Sequence, residues 1–123
     1  MLAAYGGKLG INRELALKLA NPFGGGLGKT GETCGAVTGA LMIIGLKYGT
    51  ADAADKEANA RVYECGRKFL KEFRSRNAAL RCRDLMGFDV YTRKKILSDE
   101  SRVIFDLCPK YIRDAAEILE GMS

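Results

Sequence analysis

Glu32-Thr-Cys-Gly-Ala-Val-Thr-Gly-Ala-Leu-Met-Ile-Ile-Gly-Leu-Lys-Tyr-Gly49 is the stretch that decides the fold. From about Glu32 or Thr33 to Tyr48 it is apolar nearly all round, which predicts a helix buried at the centre of a domain rather than one lying on its surface. Gly49 is the residue expected just past its end. The apolar run within it, Ala36 to Leu46, is 11 residues long, well short of the roughly 20 that span a bilayer. Gly35, Ala36, Gly39 and Ala40 recur one turn apart. A glycine inside a helix costs up to ~1 kcal/mol against alanine, so these positions imply that something packs close to the backbone there.

Working outward, Asn12 is placed to cap a helix over Arg13 to Ala20, which stops before Pro22. Phe23 to Gly31 holds five glycines in nine residues and reads as loop. On the other side, Ala53 to Arg76 carries an apolar stripe at Ala54, Ala58, Val62, Cys65, Phe69 and Phe73, the spacing of a long helix. A short helical turn is expected at Cys82 to Met86, loop at Asp89 to Lys95 and a further short helix at Ser101 to Leu107. Cys108-Pro109 opens a final helix to about Glu120, with Tyr111, Ile112, Ala115, Ile118 and Leu119 facing inward. There is no alternating strand pattern and no repeat. The expectation is a single all-α domain over residues 1–123, a bundle of four to six helices around a buried central Gly/Ala-rich helix.

Composition narrows the chemistry. The chain of 123 residues contains no histidine, which excludes Ser-His-Asp and Cys-His nucleophilic pairs and imidazole metal ligands. The net charge of +5 concentrates at Arg61–Arg76 and Arg81–Lys95, where it reads as a solvated helix face, so a nucleic-acid partner is not expected. No signal peptide or membrane span is visible, and four cysteines are too sparse for a disulfide-stapled secreted domain. The expected setting is the reducing cytoplasm, with no membrane partner. Paired acidic residues, Asp52/Asp55 and Asp99/Glu100, read as caps and solvated charge rather than an acid–base dyad.

Chemistry therefore falls to sulfur. Cys34, Cys82 and Cys108 each fall near an expected helix start, Cys108 as the N-cap, where backbone N–H groups and the helix dipole stabilise a thiolate and lower its pKa. Arg81 and Arg83 flank Cys82 and would add to the effect. Glu32, two residues before Cys34, reads as a capping or dipole-favoured carboxylate, with proton transfer as its alternative role. Cys65 falls mid-helix on an apolar stripe and reads as core. No C-x-x-C pair is present, so any metal site must be assembled from separate helices. Gly24-Gly-Gly-Leu-Gly-Lys-Thr30 approaches a phosphate-binding loop, but position 23 is Phe where that pattern needs Gly, and a helix, not a strand, precedes it. Gly24, Gly25, Gly26, Gly35 and Gly39 remain candidates for close backbone approach to a cofactor, anion or substrate.

Phe23-Gly-Gly-Gly-Leu-Gly28, Cys34-Gly-Ala-Val-Thr-Gly39, Cys82-Arg-Asp-Leu85 and Cys108-Pro-Lys-Tyr-Ile-Arg-Asp-Ala-Ala-Glu117 together resemble the C_GCAxxG_C_C family of redox-active proteins. The resemblance covers almost the whole chain. The family is small and helical, with four characteristic cysteines, and is similar to part of the split-Soret cytochromes, for which an iron–sulfur site has been suggested. Three of those cysteines match Cys34, Cys82 and Cys108. The fourth belongs to an upstream Cys-Ala-Gln segment that would precede Leu2-Ala3-Ala4-Tyr5, and with Met1 as first residue the expected site is one sulfur short. Cys65 falls where the family has an ordinary apolar residue.

The reading that follows is a redox protein in which Cys34, Cys82 and Cys108 converge beside the glycine loop. They would act either as exchanging thiols or as ligands of an iron–sulfur cluster or other metal, with a redox partner protein and a homodimeric state. The alternatives are a non-catalytic helical interaction or dimerisation module and a metal-binding or chaperone-like accessory protein.

Overall fold

The computed structural model describes residues 1–24, 26–81, 84–85 and 108–122. They hold five α-helices: α1 (Leu2–Tyr5), α2 (Arg13–Ala20), α3 (Gly35–Tyr48), α4 (Lys56–Asn77) and α5 (Cys108–Gly121), with 3-10 turns at Gly6–Leu9 and Asn21–Phe23. No strand occurs among the described residues, and the one extended pairing is an isolated antiparallel bridge between Thr33 and Arg81. The all-α expectation holds. The turn expected at Cys82–Met86 is helical at Asp84 and Leu85 and otherwise lies, with the Asp89–Lys95 loop and the Ser101–Leu107 helix, outside the described residues.

Local chemistry accounts for the element ends. Asn12 accepts a hydrogen bond from the Leu15 N–H at 2.7 Å and starts α2, as a short polar side chain at an N-cap should. Asp55 does the same for Ala58 at 3.1 Å, so α4 begins at Lys56 and Ala54 lies outside the helix. Asp52 accepts from the Ala54 N–H at 2.9 Å, fixing the turn before it. The α3 helix starts at Gly35, with Cys34 as its N-cap rather than within its first turn. The α5 helix is described from Cys108, with Pro109 in its first described turn, where its missing N–H costs nothing.

The main core forms where α3, α4 and α5 meet. Val37, Ala40, Phe69, Phe73 and Ala115 are fully buried, with Ile44 and Ile118 nearly so. The rings of Phe69 and Phe73 lie 6.0 Å apart, and that of Tyr111 lies 6.4 Å from Phe73, inside the range in which aromatic pairs attract beyond their buried area. Cys65 is half-buried against this core, as its stripe position implied. A second cluster joins Leu2 and Ala16 to Ile43 on α3.

One expectation about facing is corrected. Ile112 is 46% exposed while its neighbour Tyr111 is buried, because the hydroxyl of Tyr111 finds a partner inside and the two cannot share one helix face. The α2 helix buries only Ala16; Leu15, Leu17 and Leu19 remain about half exposed. The close approach implied at Gly39 is made by the chain's own start. A methyl group there would lie 2.7 Å from Met1 Cβ, so glycine is needed for Met1 to rest on α3.

Candidate functional site

Cys34 sits at the junction between the glycine loop and α3. The loop before it is built from left-handed residues, Gly26, Gly28 and Gly31 with Leu27 and Lys29 among them. Its amides are used internally. The Leu27 N–H donates to Phe23 (3.2 Å), Gly28 to Pro22 (2.6 Å), Lys29 to Gly24 (3.0 Å) and Glu32 to Gly26 (2.8 Å). The Thr30 hydroxyl lies 2.8 Å from the carbonyls of both Gly26 and Leu27. A phosphate-binding loop leaves such N–H groups pointing at its ligand, whereas these four are turned inward. The segment before the loop is helical, as expected.

Of the candidate glycines, Gly24, Gly35 and Gly39 line one recess of about 200 Å³ together with Met1, Phe23 and Thr38. Gly26 is buried within the loop itself. Gly25 lies outside the described residues.

The Cys34 main chain is tied to the segment that leads into Cys82. Its N–H donates to the Leu80 carbonyl at 2.8 Å, next to the Thr33–Arg81 bridge. Across the same bridge Arg81 Nε lies 3.5 Å from a Glu32 carboxylate oxygen, and both side chains are close to half exposed. Glu32 is therefore an ion-pair partner of Arg81, the residue preceding Cys82. Beyond it, the Arg81 carbonyl accepts from the N–H groups of Asp84 (3.1 Å) and Leu85 (3.0 Å). Leu85 is buried, and its carbonyl accepts a 2.9 Å hydrogen bond from the Tyr111 hydroxyl. Tyr111 lies one helical turn after Cys108.

The segments that carry the three candidate cysteines are thus joined, 34 to 80–81 and 85 to 111, over the end of the core formed by Phe73, Leu85 and Tyr111. Cys82 and the side chain of Cys108 lie outside the described residues. Among the described residues no group of three or more Cys, Asp or Glu is placed to hold a metal ion.

Cys34 is a free, half-buried thiol. Burial pushes it up from the ordinary thiol range, and the Ala36 and Val37 N–H groups at the helix start oppose that shift without reversing it. The sulfur makes no capping hydrogen bond. The expectation that the helix start alone would lower its pKa is corrected here, because the thiolate loses more solvation than two peptide dipoles return.

A comparison with family models matches residues 1–122 to C_GCAxxG_C_C, described as "Putative redox-active protein (C_GCAxxG_C_C)". The chain belongs to the C_GCAxxG_C_C family. No curated protein and no solved structure matches it at a significant level. In this C_GCAxxG_C_C protein no helix among the described residues is long and apolar enough to cross a membrane. Sequence reasoning missed the residues that join the cysteine segments, Thr33, Leu80 and Tyr111. Of these only Tyr111 left a signal, as a hydroxyl on an apolar stripe.

Proposed function

We propose that this C_GCAxxG_C_C protein transfers electrons through one shared site built from Cys34, Cys82 and Cys108. The observation that carries the reading is the joining of their flanking segments, by the Cys34–Leu80 hydrogen bond of 2.8 Å and the Tyr111–Leu85 hydrogen bond of 2.9 Å. The state of Cys34 favours a ligand role. Raised by burial, its thiol is protonated at neutral pH and is a poor nucleophile, while a bound metal displaces that proton directly.

Cys34, Cys82 and Cys108 would hold an iron–sulfur cluster or another thiophilic metal, which supplies one-electron transfer when bound. The chain's own part is to present sulfur at the start of α3, where the Ala36 and Val37 N–H groups favour negative charge on it. Buried Leu85 and Tyr111 shield the interior side from water. The free state of Cys34 supports a second reading, thiol–disulfide exchange. In that case two thiols lose two protons and two electrons to a partner protein's disulfide, which becomes two thiols as an intramolecular disulfide forms here. Free thiols such as Cys34 and Cys65 persist best in a reducing compartment, and on that ground we place the protein in the cytoplasm.

Anaerobic purification followed by iron and acid-labile sulfide analysis tests the proposal, with Cys34→Ser, Cys82→Ser, Cys108→Ser and Cys65→Ser compared. The ligand reading predicts bound metal that is lost in the first three variants and kept in Cys65→Ser. Metal-free protein whose Cys34, Cys82 and Cys108 titrate as independent thiols overturns both readings.

A further inference from the structure

A mostly apolar pocket lies away from Cys34, at the opposite end of α3. With a volume of about 310 Å³, it opens between the Gly6–Leu9 turn, the last two turns of α3 and the end of α5, at the lower end of the roughly 300–1,000 Å³ typical of small-molecule sites. Ile43 and Ile44, both buried, line it from α3, with Leu9 and Leu119 from the flanking elements. With a rise of 1.5 Å per residue, Ile43 is roughly 13 Å along the helix from Cys34, so an occupant here does not touch the sulfur site.

Its polar groups divide into two kinds. Those on the walls are already paired: the Tyr5 hydroxyl donates to a Glu120 carboxylate oxygen at 3.0 Å, and the Tyr48 hydroxyl points at the Met122 carbonyl at 3.5 Å. Lys8 and Lys47, both exposed, complete the lining. Lys47 Nζ lies 5.2 Å from the centre of the Tyr48 ring, and neither lysine forms an ion pair among the described residues. The lining therefore offers two available ammonium groups and one carboxylate held by Tyr5, beside an apolar floor.

We propose that this pocket binds an amphipathic monoanion, a carboxylate on a medium-length alkyl or aryl-alkyl body. The apolar part rests on Ile43, Ile44, Leu9 and Leu119, and the carboxylate lies between Lys8 and Lys47. Burying a ligand's apolar body gives affinity without regard to charge, so the lysines account for the preference for an anion. One charge-assisted hydrogen bond corresponds to about a tenfold change in affinity.

Titration of the full chain with sodium octanoate and with 1-octanol, followed by amide NMR shifts, tests the assignment. Octanoate should give saturable shifts centred on Tyr5, Lys8, Ile43 and Leu119 and bind about tenfold more tightly than octanol. The Lys8→Gln, Lys47→Gln double variant changes only exposed side chains and should abolish that preference. Leu9→Trp, which fills the pocket, should abolish binding of both. Absence of saturable shifts, shifts centred elsewhere, equal affinity for the alcohol, or an unchanged preference in the lysine variant overturns the proposal. If Leu9→Trp does not fold, the lysine variant decides it alone. Loss of metal or of thiol reactivity at Cys34 has no bearing on this result.

Discussion

Replacing Tyr111 by Phe removes one oxygen atom and, with it, the tie between α5 and the segment that follows Cys82. The hydroxyl donates to the Leu85 carbonyl at 2.9 Å, and the two residues are only 8% and 9% exposed. The ring packing against Phe73 survives the change, so the loss falls on a buried carbonyl deprived of the hydroxyl's hydrogen bond. Such a group costs about 1–3 kcal/mol. With a urea slope of roughly 1–3 kcal/mol per M for a small domain, the unfolding midpoint should fall by about 1 M with the slope unchanged. The assay is urea denaturation followed by circular dichroism. Tyr63→Phe is the matched control, because Tyr63 is 66% exposed and surface changes usually stay within about 0.5 kcal/mol. A midpoint for Tyr111→Phe no lower than that of Tyr63→Phe would refute the reasoning and remove one of the two ties on which the shared site rests.

Other consequences follow from the same geometry. Alkylation of Cys34 should be slow at neutral pH and rise only above the ordinary thiol range, checked by mass-resolved iodoacetamide rates in a Cys65→Ser background. Because its folded pKa is raised, the corresponding stability is complete below the unfolded thiol pKa and is lost as pH rises through the folded value. For Asp114, burial raises the pKa, but the hydrogen bond and charge of Lys110, with Asn77 and Arg76, outweigh it and hold the group low. Its contribution is therefore present above the ordinary carboxylate range and lost as pH falls through the folded pKa, and Asp114→Asn should flatten the acid limb of a stability–pH curve. Gly26→Ala forces a side chain onto φ of +73° and should cost roughly 1–2 kcal/mol, measurable by thermal unfolding.

The parts of this molecule that were legible in its sequence are those set by neighbours within a few residues. Asn12 before a leucine-rich run is a cap by local hydrogen bonding alone. Phe69 and Phe73 recur at helical spacing and so define the buried face of α4. The Asp52 and Asp55 carboxylates likewise act on amides two and three residues away. What escaped depends on contacts between distant segments. The pairing of Thr33 with Arg81 joins residues 48 positions apart in a two-residue bridge, too short to leave an alternating pattern. Gly39 announced that its space was needed but not that Met1 takes it. For α2, burial is set by what faces it: Ala16 is buried against Leu2 and Ile43, with Ala20 packed beside them, while Leu15, Leu17 and Leu19 stay about half exposed.

The candidate site divides in the same way. The place of Cys34 at the start of α3 could be read from the glycine loop before it, but its charge state could not. It depends on the balance between a helix end that stabilises the thiolate and surroundings that exclude water, and only the packed structure decides that balance.

Disulfide trapping tests the convergence of the three cysteines most directly. Mild oxidation of the reduced full chain at low concentration, followed by peptide mass mapping, reports which sulfurs can reach one another, since a disulfide requires Cα atoms within about 7 Å. The account predicts intramolecular bonds linking Cys34 to Cys82 or to Cys108, with Cys65 remaining a free thiol. Exclusively intermolecular bonds, or bonds to Cys65 with Cys34 left unpaired, would contradict a shared site.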